Sequence, residues 1–171
     1  MKKGFTILEL LIVMVIIGSL ATIGVASYTS SLSKARDAKR KADIYAIQAA
    51  LEIYKQENGA YPVSIGWEIS AATASTPRTG LWIPQLTAAY IKDLPIDPKN
   101  IGSTAPDVPG NYVYGYYSVT GLCPNLNGGE YYILAARLEN STDPQAKQVT
   151  VADNCLWPAA VTPGVFAITN P

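Results

Sequence analysis

The chain has 171 residues, enough for one ordinary domain with a core, and its 13 Lys and Arg balance its 13 Asp and Glu. Formal neutrality gives no electrostatic reason to expect nucleic acid or an acidic partner. Histidine is absent, which removes the commonest general base and metal ligand and argues against hydrolytic or zinc chemistry.

Met1-Lys2-Lys3-Gly4 forms a short basic leader, and Phe5 to Ala26 is almost wholly apolar with a single charge, Glu9. About 22 helical residues span roughly 33 Å, the hydrocarbon thickness of a bilayer. A signal peptide has a shorter apolar region and gains nothing from a carboxylate near its start; an ordinary membrane anchor passes the length test. Helical signals continue past Ala26, and no proline occurs before Pro62. Ile44, Ile47, Leu51 and Tyr54 make one apolar stripe, with Ala35, Ala38, Ala42, Tyr45 and Ala49 beside it. Arg36, Lys39, Arg40, Asp43 and Lys55 fall mainly off these stripes, and Asp37–Lys41 and Lys39–Asp43 have i,i+4 spacing. Asn58-Gly59 followed by Tyr61-Pro62 ends the helix. The pattern predicts one helix of about 50 residues and 80 Å.

Gly4-Phe5-Thr6-Ile7-Leu8-Glu9-Leu10-Leu11-Ile12-Val13 closely resembles the processing signal of type IV prepilins and pseudopilins. The resemblance implies cleavage after Gly4 by a membrane peptidase, N-methylation of Phe5 and an assembly role for Glu9. It also implies a cytoplasmic leader and an exported C-terminal part. The positive-inside rule points the other way, because Lys34, Arg36, Lys39, Arg40 and Lys41 follow the segment whereas two lysines precede it. Many family members carry a proline in the outer half of the membrane segment; here Ala26 stands at that place. Gly18, Ser19, Ala21, Thr22 and Gly24 permit close helix approach in a filament core.

After Pro62, Val63–Gly80 reads as a loop region, and Pro84–Lys92 as a short helix with Leu86, Ala89 and Tyr90 inward. Tyr112–Val119, Tyr131–Leu138, Gln148–Ala152 and residues 164–168 are strand candidates. The fold expected is α+β, a long N-terminal helix packed on a small antiparallel sheet. Its parts are a leader (1–4), a transmembrane or filament-core half-helix (5–26), an amphipathic half-helix (27–59) and a head (60–171). Asp97, Asn100, Asp107 and Asn111 are calcium candidates, although polar turns look the same without metal and no EF-hand spacing occurs. Asn140-Ser141-Thr142 is a glycosylation tripeptide of a kind common by chance. Cys123 and Cys155 match no zinc spacing. In an exported domain they are a disulfide, worth about 3–4 kcal/mol through loop closure; otherwise they are two unrelated buried thiols.

Leu94-Pro95-x-Asp97-Pro98, Tyr112-x-Tyr114 and Gly129-Glu130-Tyr131-x-Ile133 also look like the head of major pseudopilins of type II secretion, without the Trp-Gly that usually follows Asp-Pro. The cysteine pair is instead similar to the C-terminal loop of true pilins. The resemblance thus implies a non-enzymatic, cofactor-free subunit of a type IV pilus-like filament, with a secretion pseudopilin as the alternative. Its partners would be further copies of itself, the inner membrane, the prepilin peptidase and an assembly platform with its ATPase. A membrane-anchored binding module that never polymerises is a third reading, and a membrane-anchored enzyme lacks any clustered catalytic set.

Overall fold

The computed structural model describes residues 4–71, 82–83, 85–86, 88–118, 129–146, 150–151, 155–156 and 164–169. One helix, α1 (Ile7–Asn58, 52 residues), precedes six strands. These are β1 (Glu68–Ile69), β2 (Tyr114–Tyr117), β3 (Ile133–Arg137), β4 (Thr150–Val151), β5 (Cys155–Leu156) and β6 (Val165–Thr169). The chain divides into two units, Met1–Ala35 and Arg36–Pro171.

In the first unit the large apolar side chains of Phe5, Ile7, Leu8 and Leu10 through Ile17 are all exposed. Nothing within the unit supplies the burial that normally stabilises a helix in water. Several of its hydroxyls bond within the helix: Ser19 donates to the carbonyl of Ile16 (2.8 Å) and Thr22 to that of Gly18 (2.7 Å). Such bonding suits a helix whose surroundings offer no water. The described chain has one helix long and apolar enough to cross a membrane.

The second unit is α+β. Strands run antiparallel in the order β1-β2-β3-β6, and β4 pairs with β5 in a separate ribbon. Ile44, Ile47 and Leu51 are completely buried, in one core with Tyr114, Tyr116, Leu134, Ala136 and Phe166. Tyr54 packs at its margin and meets Tyr90 edge-on, with ring centroids 5.1 Å apart. The expected stripe is therefore the sheet-facing one, whereas Ala35, Ala38, Ala42, Tyr45 and Ala49 are exposed. Gly59, at φ 80°, donates its N–H to the carbonyl of Lys55 and closes the helix as expected.

Two expectations need correction. Among the described residues of 84–92 there is no helix, only turns, with Leu86 buried but Ala89 exposed. So short a segment, with Pro95 close behind it, does not complete the turns that cooperative helix formation needs. The loop region 63–80 contains β1, which pairs Glu68 with Tyr116 and Ile69 with Gly115; two residues are too few for a periodic signal.

Candidate functional site

Two places draw functional side chains together. At the first, Gly4, Phe5 and Thr6 precede α1, and all are exposed. A Cβ added to Gly4 would meet nothing within 4 Å, so the fold itself supplies no reason for glycine there. Thr6 caps the helix. Its N–H and hydroxyl both donate to Oε2 of Glu9, at 2.8 and 2.7 Å, and its Oγ1 accepts the N–H of Glu9 at 3.2 Å. This reciprocal box satisfies donors that the first turn leaves unpaired. The spacing of Thr6 and Glu9 announces it in the sequence, yet it is easily passed over when Glu9 is read only as a charge in lipid.

The second place lies in the second unit, Arg36–Pro171. Arg40 sits one turn before Ile44 on the buried face of α1 and has no exposed surface. Its Nε and Nη2 grip both carboxylate oxygens of Asp97 (2.7 and 3.0 Å), while Nη1 donates to Asp37 (2.7 Å) and Glu139 (2.9 Å). Arg36 makes a two-pronged contact with Glu139 (2.6 and 2.7 Å), Lys99 reaches the same carboxylate at 2.9 Å, and Lys41 pairs with Asp143 at 2.7 Å. Tyr112 lies under Arg40 and Lys99, 5.0 and 4.2 Å from its ring centroid. Burial would lower the pKa of Arg40, but the hydrogen bonds it donates to Asp97, Glu139 and Asp37 raise it overall. The hydrogen bond from Arg36 leads those that hold Glu139 far below the usual carboxylate range, with burial opposing. The sequence placed Arg40 off the stripes, which the structure corrects. Lys39–Asp43 forms as expected at 3.2 Å. Asp37 turns instead to Arg40, and Lys41 to Asp143.

Of the calcium candidates, Asp97 is already committed to other partners. Both oxygens of Asp97 face the Arg40 cation, and Oδ1 also accepts the N–H groups of Lys99 and Asn100. Asn111 donates its amide to Thr104 and Ala105, whereas Asn100 Oδ1 and Asp107 Oδ1 are buried without hydrogen-bond partners. Among the described residues no three His, Cys, Asp or Glu side chains are grouped to hold a metal. Cys155 begins β5, and Cys123 lies outside the described residues.

Residues 1–25 match the prokaryotic N-terminal methylation motif. The type II secretion system core protein G of Klebsiella michiganensis is 37% identical over 98 residues, covering 57% of this chain and 68% of the relative. The chain belongs to the core protein G family. The core protein G of Escherichia coli is 38% identical over 102 residues (57% of this chain, 66% of the relative), and that of Pseudomonas aeruginosa 37% over 99 (57% and 68%). No solved structure matches the chain. Membership of the core protein G family accords with the expected pilin-like fold: a long helix with an apolar N-terminal part, and an α+β second unit.

Proposed function

We propose that the chain is a structural subunit of a secretion-type pseudopilus, held in the inner membrane by residues 5–26 until it polymerises. One observation carries this reading: the apolar stretch from Phe5 to Ala26, whose described large side chains are exposed within its own unit, follows Gly4 directly and bears one carboxylate, Glu9. On this reading residues 1–4 are removed by the prepilin peptidase and Phe5 is methylated. Residues 5–26 become the filament core, residues 27–59 link it to the head, and residues 60–171 are exported. An assembly platform and its ATPase are the remaining partners, and no catalytic role is included. The names of the relatives favour secretion over the pilus reading, which rests on the cysteine pair.

Glu9 supplies the test. Cleavage creates an amine on Phe5, with an ordinary pKa near 8, that stays cationic after one methylation. The amine of an incoming subunit can pair with Glu9 of one already in place, fixing axial register while two charges in lipid are neutralised. Glu9→Val should insert and be cleaved but fail to enter sheared fibres. A normal fibre yield from cells expressing only this variant would sink the assembly role. A head that never polymerises would show no fibres from the unaltered chain either.

A further inference from the structure

We infer that Asn140 is the acceptor of an N-linked glycan added on the exported side of the membrane. The inference rests on the export of the head proposed above. Asn140-Ser141-Thr142 is the chain's one Asn-x-Ser/Thr tripeptide, and all three residues are exposed in the turn that follows β3.

The backbone there is held from beneath. Asp37 accepts the N–H groups of Glu139 (2.9 Å) and Asn140 (3.0 Å), and the carbonyl of Asn140 accepts the N–H of Asp143 (3.2 Å). Gly164, at φ 86°, backs the turn so closely that a Cβ would lie 3.2 Å from Cα of Ser141. The side chain is set as the chemistry requires. Its Oδ1 accepts the hydroxyl of Thr142 at 2.8 Å and the N–H of Thr142 at 3.2 Å, while no described hydrogen bond engages Nδ2.

A carboxamide nitrogen is a poor nucleophile because its lone pair is delocalised into the carbonyl. Two donors on Oδ1 stabilise the imidate-like form, in which Nδ2 has given up a proton and recovers the lone pair. The co-reactant is a sugar linked through phosphate to a polyprenyl lipid, presented by a membrane transferase. Nδ2 attacks the anomeric carbon, an N–C bond forms and the C–O bond to phosphate breaks. The lipid phosphate leaves with the electron pair, and the amide proton passes to a carboxylate of the transferase. Nothing is oxidised or reduced.

The test is the intact mass of full-length protein from its own cells, for the natural chain and for Asn140→Gln, Thr142→Ala and Thr142→Ser. Protease added to spheroplasts checks that the head is outside in each. The natural chain and Thr142→Ser, which keeps the hydroxyl, should carry sugar-sized mass beyond the cleaved, N-methylated polypeptide; Asn140→Gln and Thr142→Ala should lose it. An accessible head with no mass beyond that polypeptide overturns the inference. So does extra mass that persists in Asn140→Gln, which would place the sugar on a hydroxyl instead. A protected head without extra mass would overturn the export reading and this inference with it.

Discussion

Replacing Arg40 by methionine tests what holds the head together. The substitution keeps the packing volume but removes four hydrogen bonds, two to Asp97 and one each to Asp37 and Glu139. The three acids are not equally exposed to the loss. Glu139 keeps Arg36 and Lys99, and Asp37 keeps the N–H groups of Glu139 and Asn140. Asp97, whose side chain is fully buried, keeps only the N–H groups of Lys99 and Asn100. Breaking a buried pair from one side costs about 3–5 kcal/mol; the two surviving N–H bonds argue for the lower end, about 3 kcal/mol. A whole domain commands only about 5–15 kcal/mol, so the loss is large. Urea titration in detergent micelles measures it through Trp82, which is buried and donates to the carbonyl of Pro95, two residues before Asp97. Adding Asp97→Asn should recover on the order of 1–2 kcal/mol, since neighbouring changes couple. A cost below about 1 kcal/mol for Arg40→Met, or no relief in the double variant, would refute the reasoning.

Three further outcomes are expected. Glu139 has its folded pKa depressed, so its contribution to stability is complete above the ordinary carboxylate value of 4.5 and is lost as pH falls below it. Between pH 5 and 3, the urea midpoint of Glu139→Gln should therefore fall less than that of the natural chain; parallel falls would exclude this carboxylate as a source of acid sensitivity. Gly4→Leu should leave an unprocessed precursor in the membrane, and mature protein beginning at Phe5 from that variant would rule out the processing assignment. If Cys123 and Cys155 bridge, Cys123→Ser should cost about 2–5 kcal/mol and leave a protease-sensitive head, whereas two free thiols in the intact mass of the natural protein would refute the bridge.

Much of the fold was legible because its signals are periodic. The spacing of Ile44, Ile47, Leu51 and Tyr54 marked the sheet-facing side of α1, and Asn58-Gly59 marked its end. The same stripe continues backwards through Arg40 and Asp37, both buried, but charge ends an apolar pattern when hydrophobicity is the only thing counted. What buries Arg40 is Asp97, 57 residues away, and Glu139, 99 residues away; long-range partners leave no trace in local spacing. Strand cores were found through Tyr114–Tyr117 and Ile133–Arg137, while their ends were overextended. Tyr112 forms only an isolated bridge to Ile101. At the N-terminus the sequence reading proposed roles for Gly4, Phe5 and Glu9, but assigned Thr6 no part.

The partnership of Thr6 and Glu9 changes what must be explained about the glutamate. A capping interaction of this kind stabilises the first turn, so the carboxylate has a conformational use within its own helix. That use does not discharge it. An ionised acid at the centre of a membrane helix costs about 2.5–3.5 kcal/mol, less towards the interface, and Thr6 contributes dipoles, not a positive charge. Both side-chain interactions run to Oε2, which leaves Oε1 to accept a further donor without dismantling the cap. On the proposed processing after Gly4, the first cation available nearby is the amine of Phe5. Within one chain it stands immediately before the capping residue, so an internal pair and a pair with a neighbouring subunit compete for the same oxygen. Only the second ties neutralisation of the charge to addition of a subunit, and on the filament reading it is the pairing that makes leaving the lipid favourable.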